Sequence, residues 1–400
     1  MRVGTPGFVP GRLTEARKAR RISSMSALAR VLGINPSTVS RWEDGSSAPD
    51  NEALIRLANQ FSVRPEFFLR PVHDDGRPVF LRSLSTTLVR DLDYQKSQMR
   101  WLQEVSAVIE HYVDLPPIDI PDVLAGASYR QLRDDDLEQI ALDLRRHWRL
   151  GEGPCADVVG LMERVGFVLG SIEMGTGKLD GLCSWSPVDG RPHVLLATDK
   201  MSFARRQMDA AHEMAHGILH RQVAEDELKQ NLKFIEAQAF RLASAFLLPS
   251  TTYPIEVRSP SLAALVSLKE RWRVSVKAQI KRLADLELIP ADFATHLYKL
   301  HSAKGWSREE PFDRQWAPVE PRLLSDALQL IVEEGGRTKA DLLALEFTIP
   351  AGDVENLASL PHGWFSREQS AEVVRLKPAE TQGVRGDANG AVLPFPTRPR

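Results

Sequence analysis

The stretch His212-Glu213-x-x-His216 constrains this chain more than any other. On a helix, residues four apart stand one turn apart on one face, so both imidazoles can reach a single ion and the carboxylate between them points beside it. Two imidazoles at that spacing suit Zn²⁺, and Glu213 is placed to take a proton from an ion-bound water. Residues 202–220 read as that helix, with Met208, Ala211, Ala215 and Ile218 as its buried stripe and the two histidines on the adjoining face. A third ligand has to come from elsewhere. His220 lies eight residues from His212, about 12 Å along a helix axis, too far for comfortable shared coordination. The metzincin spacing wants a His at position 222; Gln222 stands there, which excludes that subclass. Glu236 is the better candidate, because Phe240, Ala243 and Leu247 follow it at helical spacing and put its carboxylate at the end of a buried stripe, an expensive place for a charge unless something compensates it. Glu225, Asp226 and Glu227 compete, but are read as a solvated, charged loop.

The rest of the chain sets the context. Four hundred residues imply two or three domains, with 43% hydrophobic and 26% charged residues as in ordinary globular chains. Residues 1–70 hold 11 Lys+Arg against 6 Asp+Glu, a net of +5, while the remainder is acidic. A basic head on an acidic body points to a polyanion as partner of the head. The two cysteines, Cys155 and Cys183, are too far apart for a Cys-x-x-Cys pair and read as free thiols in a reducing compartment. Without an apolar leader or a membrane-length apolar run, the expected location is the cytoplasm.

Within the head, residues 25–32 form a short helix with Leu28, Val31 and Leu32 inward, closed by Gly33. Asn35 then caps, and Pro36 opens, a second helix with Val39 and Trp42 inward. Its outer face presents Ser37, Thr38, Ser40 and Arg41, small polar residues and one guanidinium suited to base edges in a major groove. Arg17, Lys18, Arg20 and Arg21 are expected near phosphates. A helix over residues 50–61 closes the bundle.

The segment resembles the lambda-repressor-like (XRE) helix-turn-helix family through Ala16-Arg-Lys-Ala-Arg20, Leu28-Ala29, Gly33, the run of residues 37–43 and Pro65-Glu-Phe-Phe68. Met25 stands where members often carry a Gln. The resemblance implies binding to double-stranded operator DNA, and paired half-sites make a homodimer the expected state.

After a linker at residues 74–78, a long amphipathic helix is expected over residues 85–112, with Leu88, Leu92, Met99, Leu102, Val105, Ile109 and Tyr112 as its stripe. It packs on the next domain or forms a dimer seam. Helices follow at residues 134–150 and 158–165. Strand-like runs lie at 167–173, 181–185 and 193–198, with a turn at Asp189-Gly190. In zinc peptidases of this layout an edge strand can hold the substrate as an added strand, so residues 181–186 are candidates for peptide contact. Residues 261–289 read as two helices with Lys269, Arg271, Arg273, Lys277, Lys281 and Arg282 outward.

This part resembles the ImmA/IrrE family of metallo-endopeptidases over roughly residues 130–310. The match rests on Asp180-Gly-Leu182, Ala204-Arg-Arg206, the histidine stretch through His220, Glu236-Ala237 with Phe240, Phe246 and Pro249, and Leu268-Lys269 with Trp272 and Val274-Ser275. The resemblance implies zinc on His212, His216 and Glu236, with Mn²⁺ as an in vitro substitute, and Glu213 as general base. Asp209 stands where members often carry a hydroxyl and is a candidate to orient His212; Arg205, Arg206 and His220 are candidate substrate or supporting contacts.

The expected fold class is multidomain. An all-α helix-turn-helix bundle (1–70) and a linker with a long helix (71–127) precede an α+β zincin-like metallopeptidase domain (128–300). A helical C-terminal region (301–376) and a disordered tail (377–400) follow. The expected function is a transcriptional regulator whose peptidase cleaves itself or a partner helix-turn-helix repressor. The alternatives are a non-catalytic regulator whose zinc is structural or ligand-sensing, and an antitoxin-like DNA binder.

Overall fold

The computed structural model describes residues 4–72, 78–81, 89–175, 179–199 and 202–367; Leu88 of the expected stripe and the tail from residue 377 lie outside them. The head comprises α1 (Pro10–Ala19), α2 (Met25–Leu32), α3 (Pro36–Glu43) and α4 (Asn51–Phe61), followed by a tight turn at Pro65–Leu69. Each boundary follows from a local side chain: Ser24, Asn35 and Asp50 accept the backbone N–H groups of Ala27, Ser37 and Ala53, and Gly33 closes α2 at φ 65°. Leu28, Val39, Trp42, Leu57 and Phe61 fill the bundle core. Val31 does not join them; it is 55% exposed, because the face of α2 that meets α3 is completed by the small Ala29.

After β1 (Phe80–Leu81) comes α5 (Val89–Glu110); residues 85–88 of the expected helix lie outside the described residues. Its stripe of Met99, Leu102, Val105 and Ile109 is buried, with Gln95 and Gln98 at helical spacing on the same face and Trp101 and Gln103 buried on its flanks. The apolar seam is thus covered within the chain. The head docks on this strut through polar as well as apolar contacts. Arg12 donates to Glu15 at 3.0 Å and also pairs with Glu104, while the Trp101 indole donates to Glu15 at 2.9 Å.

The body contains α6 (Asp134–His147), α7 (Val158–Arg164), β2 (Val168–Ile172), β3 (Gly181–Trp185), β4 (Pro192–Ala197), α8 (Phe203–Leu219) and α9 (Glu225–Leu247). The sheet order is β1-β3-β4-β2, with β2 parallel to β4 and the other pairs antiparallel. Strand periodicity sends Val168, Leu182 and Leu195 into a core shared with α5 and the head, and Leu169, Cys183, Val194 and Leu196 into a second core under α8 and α9. Both faces are covered, which is why these runs read as continuously apolar. Helix α8 lies tight on the sheet: a Cβ on Gly217 would meet the Phe167 ring at 2.6 Å, and the Trp185 indole donates to the Gly217 carbonyl at 3.0 Å.

Helix α9 corrects one expectation. Glu225, Asp226 and Glu227 form its first turn, where negative charge suits the helix N-terminus, rather than a loop. A kink at Asn231 (φ −114°, ψ 16°) breaks the hydrophobic period and hid this first part of the helix.

The remaining elements are α10 (Tyr253–Glu256), α11 (Leu262–Trp272), α12 (Val276–Asp285), α13 (Ala291–Ala303), α14 (Leu323–Glu333), α15 (Lys339–Asp341), which runs on through Leu342–Glu346, and α16 (Ala351–Leu357). The expected basic face of α11 and α12 is only partly outward. Lys269 and Arg282 are fully buried, Lys269 by Glu310 at 2.9 Å and Asp313 at 2.6 Å, Arg282 by Glu138 at 2.6 Å; Arg271, Lys277 and Lys281 remain exposed. Helices α14 and α16 cover the sheet face turned toward α5, with Leu324, Leu328, Val354 and Leu357 in the shared core. Among the described residues no helix is long and apolar enough to cross a membrane.

Candidate metal centre and recognition helix

Helix α8 presents His212 and His216 toward α9, which answers with Glu236. The two Nε2 atoms lie 3.1 Å apart; Glu236 Oε2 is 3.3 Å from the first and Oε1 3.4 Å from the second. One ligand atom from each of the three residues fits within 4.8 Å. Both Glu236 oxygens are buried and lack a well-aligned hydrogen-bond donor. An isolated buried carboxylate costs several kcal/mol, so the arrangement asks for a cation. Burial alone would raise the Glu236 carboxyl, but the imidazoles of His212 and His216 facing it outweigh that and hold the group well below the usual carboxylate range. Two imidazoles and one carboxylate aimed at one point, with no thiolate, are a donor set that suits zinc and leaves coordination open for a further oxygen ligand.

The surroundings fix this geometry. His220 caps α8 with its Nδ1 3.0 Å from His216 Nδ1 and its Nε2 3.3 Å from Gln238 Oε1. Burial, reinforced by His216, pushes His220 well below the ordinary imidazole value. It stands behind His216 and outside the three-residue cluster, as its distance along the helix implies. The Phe240 ring packs 4.2 Å from the His212 ring. Glu213 is buried against β3, where Gly181 makes room: a Cβ there would meet its Cγ and Oε1 at 2.8 Å. Burial, then Glu213, push the Cys183 thiol upward, so this cysteine is a buried neutral group. Arg205 donates to Asp180 at 2.7 Å and lies 3.7 Å from Asp209. Arg206 is turned elsewhere, buried and 3.6 Å from Glu320.

Residues 181–186 are the candidates for peptide contact along an edge strand. That edge carries β1, with Phe80 opposite Cys183 and Leu81 opposite Leu182. The Phe80 ring stacks on His216 at 5.0 Å and 15°. Sequence reasoning missed Phe80. Its only signal was the apolar run of residues 79–81 directly after a turn-rich linker.

In the head, α3 keeps Ser37 and Arg41 exposed and Thr38 and Ser40 half-exposed, on the face opposite the buried Val39 and Trp42. The α1 cations are placed differently from the expectation. Arg17 is buried on Glu43 at 2.6 Å, and Lys18 pairs with Asp93 at 2.9 Å. Arg20 pairs with Asp353 at 2.8 Å, and Arg21 lies 4.1 Å over the Tyr94 ring and donates to the Met174 carbonyl at 3.1 Å. Lys18, Arg20 and Arg21 meet the body because α1 is the helix by which the head docks, whereas Arg17 is claimed within the head by Glu43 of α3.

Comparison with known families agrees with both motifs. Residues 13–68 match a helix-turn-helix family model, and residues 162–284 match a peptidase family model described as the IrrE N-terminal-like domain. No curated protein matches the chain. The chain thus joins a helix-turn-helix segment to an IrrE N-terminal-like peptidase segment in one polypeptide, the fusion that its two motifs imply.

Proposed function

We propose that this protein is a cytoplasmic DNA-binding transcriptional regulator whose body is a zinc-dependent endopeptidase of zincin-like design, cutting itself or a partner helix-turn-helix repressor and so changing expression. The observation that carries the reading is the convergence of His212, His216 and Glu236 beside Glu213. Zinc held by those three residues would supply Lewis acidity and an acidified water at neutral pH. Glu213 takes the proton of the attacking water and later delivers it to the leaving amine nitrogen, so one carboxylate serves as base and then as acid. His220 and Gln238 hold the His216 ring in register. Arg205, half-buried and paired with Asp180 next to Gly181, is the better placed of the two arginines to meet a peptide carbonyl, because Arg206 is buried against Glu320.

In this reading α3 enters the major groove of an operator with Ser37, Thr38, Ser40 and Arg41 at base edges, and a homodimer reads two half-sites. Arg30, exposed on α2, takes a phosphate-facing position in the docked head. Lys18, Arg20 and Arg21 join it only when α1 leaves α5, since their present partners lie on the body; Arg17 must also give up Glu43. Purified protein incubated with Zn²⁺ or Mn²⁺, alone and with a helix-turn-helix repressor, should yield new chain termini by mass mapping, and Glu213→Gln should yield none. Identical termini in both proteins would defeat the peptidase reading.

A further inference from the structure

Residues 78–81 belong to the connector between head and strut, yet they lie along the open side of β3 next to the candidate metal centre. Three contacts hold them. Phe80 and Leu81 pair antiparallel with Cys183 and Leu182, the Ser184 hydroxyl donates to the Pro78 carbonyl at 3.3 Å, and the Phe80 ring is 2% exposed. That ring sits in an apolar pocket formed by Tyr129, Val223, Leu228 and Ile235, with His216 stacked on it and His220 at 5.8 Å. A two-residue strand is too short to hold a sheet edge by its backbone pairs; the buried phenyl is the anchor. Backbone pairing to an edge strand combined with a side-chain pocket is how folded domains recognise extended peptides.

We propose that residues 78–81 are the protein's own occupant of the peptide groove beside His216, and that this groove takes an extended peptide with an aromatic side chain in the pocket now holding Phe80. The inference rests on the reading of β3 as the substrate edge and adds its substrate class and regulation. A peptide arriving from outside competes with a segment tethered on both sides, whose effective concentration is on the order of millimolar. The groove is therefore closed to weak ligands until residues 78–81 are displaced.

The test uses the full chain carrying Glu213→Gln, with and without zinc, and a fluorescent synthetic peptide of residues 76–84 as probe. With Phe80→Asp added to the protein, the peptide should bind at least tenfold more tightly than to the chain retaining Phe80. A peptide with Asp in place of its own Phe should bind neither. Equal affinity for the two proteins, or affinity indifferent to the peptide's phenyl, would overturn the proposal. Should Phe80→Asp fail to fold, hydrogen exchange on the chain retaining Phe80 decides. Saturating peptide should accelerate exchange at Phe80 and Leu81 while the β3 amides stay protected, and no change there would overturn the proposal. Neither readout needs cleavage. Peptide that binds as stated but is never cut by the chain with Glu213 intact leaves the groove standing and removes the peptidase reading; cleavage of a repressor without this competition does the reverse.

Discussion

At the scale of single residues, the site depends on one close approach. Gly181 lets β3 run against Glu213, and a Cβ at that position would lie 2.8 Å from the carboxylate's Cγ and Oε1. Gly181→Ala must therefore push Glu213 aside without touching His212, His216 or Glu236. Misplacement of a reacting group by about 1 Å costs on the order of a hundredfold in rate. The expected result is peptide cleavage reduced by roughly tenfold to a hundredfold with zinc content unchanged, read by steady-state kinetics beside metal analysis. A wild-type rate in that variant would mean that Glu213 is not the positioned base. The three candidate ligands were legible because two lie a turn apart on one helix and the third ends a 3.6-residue stripe. Phe80 was not legible: its partners Cys183 and His216 come from distant parts of the chain, and two residues carry no period. The partners of the α1 cations were hidden for a related reason, since composition shows charge but not the Asp93 and Asp353 that pair with it.

At the scale of elements, α1 and α5 share a buried ionic cluster. Glu15 sits with Arg12 on its own helix and faces Arg100, Trp101 and Glu104 of α5. Burial pushes its carboxyl up to about 7 against the lowering effect of Arg12. A carboxyl whose folded value lies above its unfolded one binds a proton that the unfolded chain releases, so stability falls as pH rises between those values. The contribution is full below about 4.5 and lost as pH passes through about 7. Glu163, buried while accepting the backbone N–H groups of Arg322 and Leu323, is pushed to about 7 with the same sign. Thermal melts from pH 5 to 8 should show the parent losing stability relative to Glu15→Gln as pH rises; Glu104 and Glu163, also raised by burial, act in the same direction in both proteins, and His193 and His220, held low by burial, in the opposite one. An unchanged pH slope in Glu15→Gln would contradict the role given to this cluster. Periodicity revealed the apolar stripe of α5. It could not reveal that Gln103, off the stripe, is buried too, because a polar flank reads as a wet face until the helices that cover it are known.

At the scale of the molecule, one compact unit runs through Ser366 and contains the recognition helix and the candidate metal centre together. The basic head and acidic body, which composition showed as a bare imbalance, meet in ion pairs such as Arg20 with Asp353. Of the C-terminal helices, α14 and α16 complete the sheet's second covering layer, and nothing local in residues 301–376 indicates which sheet face they cover. The central claim is that α8 and α9 meet around a metal ion, and metal content tests it most directly. Full-length protein should carry one equivalent of zinc after dialysis, and Glu236→Ala should lose it while keeping its helical circular dichroism. Retention of the full equivalent by Glu236→Ala, or no zinc bound by the parent protein, would contradict the account.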